Sequence, residues 1–269
     1  MKTLSTIIIS LFVISCGPNQ APVSQTSMQK SSTPYYRVWQ GWKRDDLSTA
    51  KFLKALESFM PLTPKTHAKN GLRGYTVAIP PKQNAAWIPD EFALVTYESK
   101  EIYEKAKATP EGQKYGAAHW DLFKKGPSKS KVPTRLHLRQ RVQLKADAAY
   151  DVLSLPVNWR RGYTTFYMGI RRKGLSQSTY EKGMSRHVEG VKRAFYPMGM
   201  TAYIVMLDNR YEIAYQNWKS KAHFEKAMKS KAAKAVMNDG SRYLKNFMFR
   251  PAENFRGTTR PNQAINFKW

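Results

Sequence analysis

Between Asp121 and Asp147 the chain carries eight lysines and arginines and no acid. Within that run Arg135, His137, Arg139 and Arg141 alternate with Leu136, Leu138 and Val142. A strand over 134–142 would place the leucines and valine on one face and the four basic side chains on the other. Guanidinium groups grip carboxylates and phosphates through two parallel hydrogen bonds, so this face predicts an anion-binding site. The same alternation also describes a solvent-facing edge strand whose charges prevent edge-to-edge pairing.

Other chemistries find less support. The five histidines, 67, 119, 137, 187 and 223, show no metal-ligand spacing such as HExxH. Cys16 is the single cysteine, which excludes an internal disulfide and a thiolate-rich metal site. Neither a glycine-rich phosphate loop nor a GxSxG elbow is present, and the adjacent acids Asp45 and Asp46 would face different ways. No metal and no catalytic residue is therefore predicted from motifs.

The net charge is +26, from 45 lysines and arginines against 19 acids. Such a field attracts anionic lipid, acidic glycan or nucleic acid. A predicted helix from Ser220 carries Lys221, Lys226, Lys229, Lys231 and Lys234 against Glu225, with Phe224 and Met228 as an apolar stripe. It would suit an anionic membrane surface, or equally a sheet-packed helix with a wet lysine face. Tyr36, Trp39, Trp42 and Trp159, with Arg160 and Arg161, could stack single-stranded nucleic acid or belong to the core.

The N-terminus makes nucleic acid an unsuitable partner. Lys2 and the apolar run from Ile7 to Ile14 form a leader too short to span a bilayer. It closes on Val13-Ile14-Ser15-Cys16-Gly17, which resembles a bacterial lipobox. The resemblance implies cleavage before Cys16, acylation of that cysteine and a lipid-anchored envelope protein. Glycine rather than aspartate at position 17 implies the outer membrane in a Gram-negative cell. Residues 17–35, rich in Ser, Thr, Gln and Pro, would be a tether reaching about 25 Å.

The elements that would position these groups occur twice. Tyr97-Glu98-Ser99-Lys100-Glu101-Ile102-Tyr103-Glu104-Lys105-Ala106 returns as Trp218-Lys219-Ser220-Lys221-Ala222-His223-Phe224-Glu225-Lys226-Ala227. Glu91/Glu212 and Ala93/Ala214 keep the same offset of 121, so strand and helix are duplicated together. Strand, helix, strand, strand, helix, strand is predicted in residues 36–145 and again in 163–250. The strands cover 36–42, 74–79, 91–97 and 134–142, then 164–170, 201–207, 211–216 and 247–249. Ser48, Ser99, Thr109 and Ser220 are the expected helix caps, with a capping box at Ser178-x-x-Glu181. A short helix within 146–155 is expected in the connector 146–162, and the tail 251–269 is expected to dock without regular structure.

This order predicts an α+β fold of two tandem ferredoxin-like βαββαβ modules with facing antiparallel sheets. It resembles the dimeric α/β-barrel superfamily. The local texture Tyr97-x-Ser99-Lys100, Thr109-Pro110-Glu111-x-Gln113 and His119 resembles its monooxygenase-like members. The resemblance implies a pocket between the facing sheets and, in fused haem-binding pairs, a histidine axial ligand, for which His187 and His119 are the candidates. The leading functional expectation is a membrane-anchored lipoprotein that binds an anionic small molecule, glycan or lipid, with no cofactor. A haem-dependent or cofactor-free oxygen-using enzyme is the alternative, and an envelope protein holding anionic polymer is a third reading.

Overall fold

The computed structural model describes residues 33–80, 85–252, 263–267 and 269. The first module runs β1 (Tyr35–Gly41), α1 (Thr49–Phe59), α2 (Leu62–His67), β2 (Leu72–Ile79), β3 (Glu91–Tyr97), α3 (Lys100–Ala108), α4 (Pro110–His119) and β4 (Lys129–Lys131). After β5 (Thr134–Arg135) and β6 (Ala148–Asp151) the second module repeats it. Its elements are β7 (Tyr163–Arg171), α5 (Gln177–Phe195), β8 (Met200–Leu207), β9 (Tyr211–Trp218), α6 (Lys221–Met228), α7 (Lys231–Ser241) and β10 (Leu244–Met248). Two short strands follow, β11 (Arg250–Ala252) and β12 (Gln263–Asn266).

The antiparallel core of each sheet has the ferredoxin-like strand order, β2-β3-β1-β4 in one and β8-β9-β7-β10 in the other. The tandem βαββαβ architecture is thus observed. Local chemistry sets the helix starts. Ser48, Ser99, Thr109, Ser176, Ser220 and Ser230 each accept a hydrogen bond from the backbone N–H three residues on.

The modules exchange edges. The segment that leaves the first module supplies β6 to the second sheet, antiparallel to β8, with β5 parallel outside it. The segment that leaves the second module returns β12 to the first sheet, antiparallel to β2, with β11 parallel outside. Ile265 of β12 is fully buried under the first helical layer. Among the described residues no helix is long and apolar enough to cross a membrane.

The sheets face one another across a packed interior. Val38, Phe92 and Leu94 of the first sheet meet Phe166, Ile204, Ile213 and Tyr215 of the second in one buried cluster. Phe166 lies 5.9 Å from Phe92 and 4.7 Å from Tyr215, centroid to centroid. Among the described residues this part of the space between the sheets is core.

Four local expectations are corrected. The last strand of the first module is Lys129–Lys131, not 134–142. The alternation that suggested a strand is real, but its partner is a helix. Leu136, Val142 and Leu144 bury themselves with Val188 and Met184 of α5. Side chains of α5 then satisfy the backbone: Val142 N–H donates to Glu189 Oε2 (3.0 Å), Leu144 N–H to Ser185 Oγ (2.8 Å) and Ala146 N–H to Glu181 Oε1 (2.9 Å). Glu181 is thus engaged with the connector, and the cap of α5 is Ser176 rather than Ser178. The helix expected within 146–155 is instead strand β6, because edge strand β8 offers its backbone a ladder. The tail holds β12 for the same reason on edge strand β2, and β11 pairs in turn with β12.

Candidate functional site

Side chains of the first sheet alternate between the packed interior and the helical layer. Arg37 and Trp39 of β1, Tyr75 of β2, and Glu91, Ala93, Val95 and Tyr97 of β3 turn toward the helices. Between them and α1, α2, α3 and α4 lies a cavity of about 300 Å³. Small residues keep it open. Ala93 floors it, and a Cβ added at Gly116 would meet no atom within 4 Å. Gly112 brings α4 against α3, since a Cβ there would sit 2.1 Å from the Ala106 carbonyl oxygen. Thr109 and Pro110 start α4 at that contact.

Two histidines reach the cavity from the helices. Nδ1 of His119 lies 3.1 Å from the Tyr115 carbonyl oxygen one turn earlier. That contact makes Nδ1 the donor and leaves the lone pair on Nε2. Phe59 and Tyr115 stand edge-on to the imidazole, with centroids at 4.7 and 4.6 Å, and Trp39 at 5.5 Å. Although one edge of His119 opens to the cavity, burial pushes its pKa down to about 4, so the ring is neutral at pH 7. His67, at the end of α2, is buried edge-on to Tyr115 and Tyr97, and its Nδ1 has no hydrogen-bond partner. Burial lowers its pKa as well.

The acid is Glu91, only 2% exposed. Burial pushes its pKa up to about 8. The Trp39 indole N–H beside it partly opposes that shift without closing a hydrogen bond of normal geometry. At pH 7 the cavity therefore holds a neutral imidazole and a protonated carboxyl, a base and an acid available together. Burial also keeps Tyr97 and Tyr115 protonated, and the Tyr115 hydroxyl shares a short hydrogen bond with Thr63 that ties α4 to α2.

In the second module the described residues of the equivalent place are packed as core. The ladders align Ala93 with Ala214, so Arg37 corresponds to Thr165, Trp39 to Tyr167, Tyr75 to Tyr203 and Tyr97 to Trp218. Tyr180, Met184, Tyr203 and Trp218 fill the region as core. Glu212 repeats Glu91, buried and pushed up to about 8. His119 corresponds to Gly240, and the ring of His187 occupies the room that glycine leaves: a Cβ there would lie 2.7 Å from His187 Cε1.

The residues singled out from sequence fare differently. His119 lines the cavity. His187 is enclosed between α5 and α7, with Nδ1 4.0 Å from Asp239 Oδ2. Its ring is buried and lines no part of the cavity at His119. At His119 the cavity lies at the small end of ligand sites, roughly 300–1,000 Å³. Arg135, His137, Arg139 and Arg141 are exposed and line no part of the cavity. Arg135 donates to the Ser154 carbonyl at 2.9 Å and approaches Asp151 at 3.9 Å. The reason is the α5 contact above, which turns the apolar face inward and the basic face to solvent. Cys16 lies outside the described residues. Among those described, no group of three or more His, Cys, Asp or Glu could hold a metal ion.

Glu91, His67, Tyr97 and Arg37 were missed by motif reading. One signal was available for the first. An acid opening an apolar strand and recurring at the same offset of 121 as Glu212 is unusual, since buried acids are rare without a partner.

No protein-family model and no curated protein sequence matches the chain. Among solved structures it is similar to a provisionally assigned monooxygenase from Fusobacterium nucleatum, at 14% identity and a TM-score of 0.47, covering 88% of this chain and 99% of that one. A provisionally assigned monooxygenase from Lactobacillus acidophilus is similar at 10% identity and a TM-score of 0.39, covering 87% and 99%. A mutant chlorite dismutase from Candidatus Nitrospira defluvii is similar at 12% identity and a TM-score of 0.30, covering 76% and 86%. At these scores no site residue or substrate carries across.

Proposed function

We propose that the first module is a cofactor-free, oxygen-using enzyme acting on a flat, electron-rich aromatic substrate. The observation that carries this reading is the pairing of neutral His119 with protonated Glu91 inside one aromatic-walled cavity. The walls favour a planar apolar body. His119 Nε2 takes a proton from an acidic C–H or O–H of the substrate. The Glu91 carboxyl donates a hydrogen bond to a substrate oxygen as negative charge grows there. The resulting carbanion gives its electron pair to dioxygen, which joins the carbon as a peroxide. The His119 imidazolium returns its proton to that peroxide, and loss of water breaks the O–O and remaining C–H bonds to leave a carbonyl. The second module, filled where the first is open, supports the first through the shared core.

Gly116→Leu tests the assignment. A side chain at this position meets open space and should fold normally while blocking the cavity. Oxygen uptake with a panel of polycyclic phenols and keto-phenols is expected in the parent protein and lost in Gly116→Leu. Equal uptake by both would remove the cavity from the reaction.

The lipobox-like leader supports an envelope address, with the catalytic body tethered to a membrane through acylated Cys16. Intact mass of the protein purified from membranes is expected to show the acyl additions and to lose them in Cys16→Ala. An unacylated mature mass would remove the anchor. The exposed lysines of α6 and α7 and the surface arginines 135, 139 and 141 are then available to anionic lipid or glycan at that surface.

A further inference from the structure

We infer that the substrate is an aromatic acid and that Arg37 is the residue that selects it. The inference rests on the reading of the first-module cavity as a substrate site, and it adds the polarity of the substrate's outer end.

The cations at that end of the cavity are unequally neutralised. Lys107 and Arg37 both line it and both lie over the Tyr103 ring, at 5.6 and 4.7 Å from its centroid. Lys107 pairs with Glu104 at 2.8 Å. Nearby Arg73 pairs with Glu98. Arg37 donates to the Tyr103 hydroxyl, and among the described residues no carboxylate pairs with it. A partly buried guanidinium with one neutral partner still has N–H donors to spend, and its fork matches a carboxylate.

Position along the sheet adds a length. In the ladder Arg37 stands opposite Val95, and Glu91 lies four residues further along the same strand. At the rise of a β-strand that separation is about 13 Å. Exposed Lys107 marks the solvent end, and buried Glu91 the inner end. A ligand spanning them is flat and two to three rings long, with its acid group outward at Arg37 and its reacting oxygen inward. The two copies of the module support the pairing of charge with cavity. Where the second is filled by Tyr180 and Trp218, the position of Arg37 carries Thr165. Tyr103, which holds the guanidinium, is likewise replaced by Phe224, which has no hydroxyl.

The test is calorimetric binding of 2-naphthoate and of its methyl ester to the full chain. The acid is expected to bind roughly 10- to 100-fold more tightly than the ester, the range of a charge-assisted pair. Arg37→Gln should erase that preference while leaving ester affinity within about threefold. Arg37→Lys should keep part of it, having the charge without the fork. Tyr103→Phe, a smaller change that frees the guanidinium, should weaken it and stands in if Arg37→Gln does not fold. A preference equal in parent, Arg37→Gln and Tyr103→Phe proteins, or equal affinity of the parent for acid and ester, overturns the role of Arg37 and leaves the cavity reading standing. If neither probe binds the parent, or both bind Gly116→Leu unchanged, the cavity reading itself falls.

Discussion

His119→Gln should lower turnover of an accepted substrate by about 10²- to 10⁴-fold, the usual contribution of a general base. Binding of the neutral ester probe should change little, because the aromatic walls remain. The pH profile is the sharper readout. His119 is pushed down to about 4 and Glu91 up to about 8. The productive pair, imidazole neutral and carboxyl protonated, therefore exists between those values. In the parent protein the rate should rise through about pH 4 and fall through about pH 8. Glu91→Gln should preserve the rising limb and remove the falling one, since the amide cannot ionise. A profile in Glu91→Gln that still falls near 8, or a His119→Gln enzyme as fast as the parent, would dismiss the assigned roles.

Glu212→Gln should leave catalysis nearly untouched and change how stability responds to pH. Glu212 is buried in the second module, away from the cavity, and its pKa rises from 4.5 to about 8 on folding. The sign follows from proton counting. Between those two values the folded chain holds a proton that the unfolded chain has released, so stability falls as pH rises. The slope approaches about 1.4 kcal/mol per pH unit for one such group. Glu91 acts in the same direction. His187 acts oppositely: its pKa drops from 6.5 to about 4, so its contribution to stability is lost as pH falls through that window. The two acids, Glu212 and Glu91, are therefore roughly offset by His187 and His119 between pH 4.5 and 6.5, and the acids dominate from 6.5 to 8. Denaturant titrations should show Glu212→Gln gaining on the parent progressively up to pH 8 and no further beyond it. A difference that is flat across that range would show that the carboxyl is not held neutral.

Much of the architecture was legible in the residues. Strand 91–97 was read with its observed bounds, the caps at Ser48, Ser99, Thr109 and Ser220 were placed correctly, and the offset of 121 exposed the duplication. These features are local: a cap is set within four residues, and a strand by its own alternation. The errors lie where a segment's partner is distant in sequence. Residues 134–142 alternate like a strand, but alternation reports only that one face is buried, not that the burying surface is a sheet. Helix α5, some 40 residues onward, supplies it. The strands at 148–151 and 263–266 are short, and only the open edges of β8 and β2 make them strands.

The candidate site divides in the same way. His119 was singled out only as a haem-ligand candidate that a family resemblance implied, and the basic residues were legible as a class. Which arginine meets a ligand was not. Arg135, Arg139 and Arg141 looked like an anion site because of their pattern, whereas Arg37 sits in an ordinary aromatic strand. By itself, then, the sequence determined two ferredoxin-like modules and a strongly basic composition. Tertiary structure alone decided that Phe92 and Phe166 meet between the sheets and that this cavity lies beneath one helical layer. It also decided which module keeps it. The reason is volume. A cavity is the room left when side chains from four helices and four strands fail to meet, and that sum depends on every partner at once.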